Sequence, residues 1–170
     1  MKHKLSLIYA WFVRTLFFFL PDFPLFMRFR GWLYGVGMEK CGRNFQVAHS
    51  AVLNSLDRIK VGDNVYIANF CSLIPNGLIE IGSNTLFGPG VVVSAGNHKF
   101  ENGHFLKQSD SKDVLIGENS WVAANCTIVG GAVLPSESIL AANSVLTSKT
   151  NNSKVNCLYG GSPAKLIKEL

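Results

Sequence analysis

The chain is short of charge. Of its 170 residues, 16% are Asp, Glu, Lys or Arg and 48% are hydrophobic. That is apolar for a soluble protein and implies apolar surface covered by partners or membrane. Acids are scarcer than bases, 11 against 16, yet the excess does not describe a nucleic-acid face. Residues 1–43 hold seven bases and two acids, which leaves nine of each (16 − 7 and 11 − 2) in the remainder. The surplus sits in one apolar segment rather than along a basic stripe, so no nucleic-acid partner is expected. Cysteine is sparse too: Cys41, Cys71, Cys126 and Cys157 show no CxxC and no Cys/His spacing. They read as buried thiols in a reducing compartment, and no metal is expected.

A membrane-crossing helix is also missing. The apolar run from Leu5 to Leu20 is sixteen residues, is interrupted by Arg14, and meets Pro-Asp-Phe-Pro with no A-x-A cleavage site. A bilayer needs about 20. Segment 1–40 is therefore expected to be an amphipathic, helical element that lies on a membrane surface, caps the domain core, or does both. The expected location is the cytoplasm, with the inner face of the membrane left open by this segment.

Helical and alternating periods are absent from residue 61 onward; a period of six replaces them. The units begin at Val61, Ile67, Leu73, Ile81, Phe87, Val93, Ile116, Val122, Ile128, Leu134, Leu140 and Leu146, all large and apolar. At this composition chance gives that run about once in 10⁴. A small residue often stands fifth, and Gly or Ala second. Such a period predicts a parallel β-helix in which each six forms one side of a triangular coil. Asn64, Asn84, Asn119 and Asn143 fall at turn positions. A weaker coil starts at Cys41. The repeat breaks at 99–115, "KFENGHFLKQSDSKDVL", a polar insertion of the kind that collects binding functions. His98 stands just before it.

These stretches resemble the hexapeptide-repeat acyltransferases, and within them the sugar O-acetyltransferases of the galactoside and maltose type. The resemblance is carried by "ANF" at 68–70, "IGSNTLFGPGVVVSAGNH" at 81–98, "IGENSWVAANCTIVGGAVLPSESILAANSVLTS" at 116–148 and "GGSPAK" at 160–165. It implies an all-β, left-handed parallel β-helix and a homotrimer with acetyl-CoA between subunits. By the same resemblance His98 is the catalytic base, and Asn69 and Trp121 meet the acceptor. Ala124 and Ala142 bind the pantetheine arm through their backbones, Thr147 and Ser148 lie near the far end of the cofactor, and Lys165 and Lys168 meet the phosphates. The organisation expected is 1–40 as the N-terminal segment, 41–151 as the β-helix with its loop at 99–115, and 152–170 as a tail ending in a short helix. The chain departs from those enzymes near the acceptor, so the resemblance does not fix which acceptor is used: their paired carboxylates are replaced by "PNG" at 75–77, and Asn97 stands where they have Gly. The aromatic, basic N-terminus resembles O-acetyltransferases of surface-polysaccharide pathways.

The chemistry suits this set. A sugar hydroxyl must lose a proton as it attacks a thioester, and a neutral histidine is matched to that task near pH 7. No Cys or Ser has a base at readable spacing, so direct transfer in a ternary complex is expected. Two other readings remain: N-acetylation of an amino-sugar nucleotide, and a non-catalytic β-helix that binds or scaffolds.

Overall fold

Each six-residue unit forms one side of a triangular coil in the computed structural model, which describes residues 2–150 and 153–170. The first face stacks Lys40–Cys41, Ile59–Val61, Ile79–Ile81, Val114–Ile116 and Val133–Leu134 in parallel. The second stacks Gln46–Val47, Tyr66–Ile67, Leu86–Phe87, Trp121–Val122, Ile139–Leu140 and Cys157–Gly161. The third stacks Val52–Leu53, Ser72–Ile74, Val92–Ser94, Thr127–Val129 and Val145–Leu146. The coil is left-handed, against the right-handed preference of ordinary parallel crossovers.

All twelve unit-opening residues, from Val61 to Leu146, are buried, none more than 2% exposed. Three such side chains per coil contribute roughly 5–9 kcal/mol before the entropy of ordering is subtracted. Most fifth positions are buried as well, and their hydroxyls stay bonded: Ser120 Oγ donates to Pro135 O at 3.1 Å. The glycine in second place is required by the stacking. A Cβ on Gly82 would lie 2.7 Å from Glu118 Cα in the next coil.

Corners turn on single left-handed residues. At the corner between the first and second faces these are Asn44, Asn64, Asn84 and Asn119, with φ of 56–57°, and then Glu137 at 59°. Their amides form a ladder: Asn44 Nδ2 donates to Asn64 Oδ1, Asn64 to Asn84 and Asn84 to Asn119, each at 3.0 Å. Asn143 shares their place in the unit but turns the next corner, between the second and third faces.

The N-terminal segment forms α1 (Lys2–Phe17) and α2 (Pro24–Val36), the latter with proline in its first turn. They close the start of the solenoid, α1 on the short turn Leu56–Arg58 and α2 on the first coil. Arg30, 2% exposed, fastens them. Its Nε donates to Val47 O at 2.9 Å and its Nη1 to Leu20 O at 3.0 Å, while Nη2 pairs with Asp22. Asp22 also accepts from His49 N at 2.8 Å and meets His49 Nδ1 at 2.8 Å. Burial pushes the Asp22 carboxyl up, but the His49 hydrogen bonds and the His49 and Arg30 charges outweigh it, so its pKa is lowered. Among the described residues no helix is long and apolar enough to cross a membrane.

Two expectations need correction. The short C-terminal helix is instead a hairpin: Cys157–Gly161 extends the second face, and Ala164–Glu169 folds back antiparallel on it. Leu166 and Ile167 are both exposed. With no apolar face to bury, the segment satisfies its backbone on the open sheet edge. The loop at 99–115 is likewise a hairpin, Gly96–Glu101 against His104–Ser111, and Val114 already belongs to the next coil. Its turn, Asn102-Gly103, has φ of 50° and 81°, as a type I′ turn requires.

Candidate active site

His98 lies on the first strand of this hairpin, opposite Ser109, where an irregularity of register separates it from Phe100. The imidazole is exposed. Its Nδ1 is 3.2 Å from Leu106 O, on the returning strand. A carbonyl oxygen can only accept, so Nδ1 carries a proton, and in the neutral ring the lone pair is then on Nε2. Among the described residues Nε2 has no hydrogen-bond partner. The hairpin's own backbone thus orients the imidazole.

The foot of the hairpin rests on the "PNG" turn. Gly77 N donates to Ala95 O at 3.1 Å, and Leu78 N donates to Asp113 Oδ1 at 2.8 Å. A Cβ at Gly96 would stand 2.6 Å from Asn76 Cβ, so the position needing glycine is 96, while Asn97 is exposed and tolerant. Asn76 is itself tied to Arg58 through its carbonyl. At the tip, Phe100 and Phe105 are exposed and in ring contact, centroids 4.9 Å apart. Asp113, Asn76 and the Leu106 carbonyl are absent from the sequence-level set; the Asn-Gly pair is the signal that finds the last.

The remaining predicted residues are distributed over the prism. Asn69, Ala124 and Ala142 lie at the corner between the second and third faces. Thr147 and Ser148 lie at the next corner, where the His98 hairpin also leaves. One side separates the two corners, about 15–20 Å of strand. The residues singled out from the sequence are therefore not gathered within one chain.

Details at each corner differ. Asn69 is half-buried, and its carbonyl accepts from Gly90 N at 2.9 Å. Beside it Phe70 is 71% exposed with φ of 61°. A bulky residue in the left-handed region costs about 1–2 kcal/mol, strain of the kind concentrated at functional sites. Among the described residues the N–H of Ala124 and both backbone groups of Ala142 have no hydrogen-bond partner. Trp121, 49% exposed, sits in an outward row on the second face between Leu86 and Ile139.

Lys165 lines a cavity of about 300 Å³ with Lys149, Thr150 and Pro163. Thr147 joins it indirectly, its N bonded to Thr150 Oγ1 at 3.3 Å. Lys149 thus stands beside Lys165 in the place expected of Lys168. Lys168 lies further along the strand, opposite Leu158, and is not in this lining.

The cysteines offer no nucleophile. Burial raises the Cys71 thiol to about 11 and pushes Cys41 and Cys126 up as well. Among the described residues no three His, Cys, Asp or Glu side chains are grouped to hold a metal.

No family model matches the chain. An Escherichia coli K12 protein named for acetyl transfer in colanic acid biosynthesis is 24% identical over 155 residues, covering 91% of this chain and 81% of its own. A maltose O-acetyltransferase from Clostridium difficile 630 superposes with a TM-score of 0.82 at 23% identity, covering 98% of this chain and 87% of that one. A hexapeptide-repeat acetyltransferase from Vibrio cholerae, solved with acetyl coenzyme A, gives 0.79 at 20% identity over 98% and 88%.

Proposed function

We propose that this chain, whose relatives and structural neighbours are hexapeptide-repeat acetyltransferases, transfers the acetyl group of acetyl-CoA to a sugar hydroxyl of a surface polysaccharide or its precursor. One observation carries the mechanism: His98 is exposed on a hairpin whose own carbonyl fixes Nε2 as the free basic nitrogen. The acyltransferase class rests on the relatives, and the polysaccharide acceptor on the colanic acid protein.

His98 Nε2 takes the acceptor's hydroxyl proton as that oxygen attacks the thioester carbonyl. The C–S bond then breaks, and the departing thiolate takes the proton back from the imidazolium. The unpaired backbone groups of Ala124 and Ala142 suit the amides of the pantetheine arm. Lys149 and Lys165 suit its phosphates, with Thr147 and Ser148 on the adjoining corner. Asn69 and Trp121 border the acceptor, and the free Phe70 ring offers it a stacking face. Lys168 supplies general positive charge nearby.

The assembly is a homotrimer. With His98 and the Ala124 corner a full side apart, the hairpin of one chain completes the site on the corner of the next. The apolar outward row of Leu86, Trp121 and Ile139 is what such contact would cover.

Thiol release from acetyl-CoA across monosaccharides, oligosaccharides and sugar nucleotides tests the reading. His98→Ala is expected to lower kcat by ~10²–10⁴-fold with hydroxyl acceptors and to leave acetyl-CoA binding intact. Full activity of that variant on amine acceptors alone would replace the proposal with N-acetylation, and no acetyl-CoA binding at all would leave a scaffold.

A further inference from the structure

The helices that cap the solenoid carry large apolar side chains on their outer face as well as their inner one. α1 turns Ser6, Ala10 and Val13 inward, and leaves Ile8, Trp11 and Phe12 exposed. α2 buries Met27 and Tyr34 with Arg30 and Gly31, and exposes Phe29 and Trp32. Between them Phe19 is 89% exposed. α1 thus gives the core small or polar residues, and both helices turn several of their largest apolar side chains outward, where an ordinary surface helix is polar.

Charge says what covers this plateau. Within residues 2–38 the single acid is Asp22, already engaged by Arg30 and His49. Lys4 and Arg28 remain exposed, Arg14 is half-exposed, and no acid on the segment offsets them. Arg28 also shares a cleft of about 770 Å³ with Trp32 and with Arg43. Aromatic rings rimmed by uncompensated cations match an anionic lipid interface, where rings settle at headgroup depth and cations meet phosphate.

We propose that α1 and α2 seat the protein on an anionic phospholipid surface, lying in the interface without crossing it. A second copy fits the same surface poorly, since end-to-end contact would set like charges against one another. The helices also cover the end of the solenoid and leave its three faces open to neighbours. In the side-by-side trimer of the preceding reading, on which this step rests, all three caps point to one end. They form a flat, three-patch base.

The test is co-sedimentation of the full chain with vesicles of phosphatidylcholine, with and without phosphatidylglycerol. Binding is expected only with phosphatidylglycerol, and it should fall as salt rises. Each cation lost should weaken it about fivefold, so Lys4→Glu with Arg28→Glu should cost well over tenfold. Trp11→Ser with Phe12→Ser should also release the protein, at unchanged mass by light scattering and unchanged thiol release with a soluble acceptor. Failure of the wild type to sediment would overturn the proposal, as would a change in oligomeric mass in the Trp11/Phe12 variant, which would make the surface a subunit contact. Loss of wild-type thiol release would strike the enzymatic reading and leave sedimentation as the separate measure.

Discussion

Replacing Asn84 separates two demands that one corner makes of one residue. Its backbone is left-handed at φ 56°, and its amide both accepts from Asn64 and donates to Asn119 at 3.0 Å. These bonds are exposed, so each is worth the low end of the usual ~0.5–1.5 kcal/mol, about 1–2 together. Asn84→Gly removes them, keeps the turn conformation accessible, and adds ~0.5–1 kcal/mol of chain entropy. Asn84→Ala removes the same bonds and forces a Cβ into the left-handed region, for a further ~1–2 kcal/mol. Thermal unfolding followed by circular dichroism should therefore rank wild type, Gly and Ala in that order, the last pair about 1 kcal/mol apart. Acetyl transfer should be unchanged, since this corner carries none of the site. Ala matching Gly would refute the backbone argument, and Gly matching wild type would refute the ladder. At the same corner Glu137 has φ 59° and no amide to offer. Glu137→Asn should then stabilise by roughly 0.5–1 kcal/mol, extending the ladder from Asn119.

Cys71, with its thiol raised to about 11 by burial, should resist iodoacetamide at pH 8 until urea unfolds the coil; fast labelling of the native protein would contradict its place in the core. Because the folded pKa of Asp22 is depressed, its stabilisation is present above the unfolded value of about 3.9 and is lost as pH falls through the folded one. Asp22→Asn should flatten that acid limb and, by leaving buried Arg30 short of its partner, cost near the low end of ~3–5 kcal/mol at pH 7. Equal acid sensitivity of variant and wild type would show that another carboxylate governs it.

Much of the coil is legible in the sequence because every turn repeats one demand. A single inward side chain per side, as at Leu73 or Ile128, must be large and apolar, and nothing downstream alters that. The hairpin carrying His98 is harder to see. Its Asn102-Gly103 turn is an open signal, but both faces of the ribbon are largely wet, so no apolar alternation marks the strands. The C-terminal strand is hidden for a different reason. Leu166 and Ile167 mimic a helical stripe, and only the free edge left by Cys157–Gly161 decides their conformation. His98, Asn69, Ala124 and Ala142 are found by resemblance, while their division between two corners follows from the hexad count itself. Which face of α1 packs inward is illegible, because composition does not say which side of a helix apolar all round meets the core.

The amide ladder spans 20 residues from Asn64 to Asn84 and 35 from Asn84 to Asn119, with the same 3.0 Å contact at each step. Fifteen extra residues leave the coil without a trace in its register. The solenoid therefore behaves as a rack with a standard pitch, into which a loop of any length can be fitted at the third corner. Diversification can proceed there by exchange of a whole ribbon, with its histidine and its orienting carbonyl, while the coil behind it keeps its pitch.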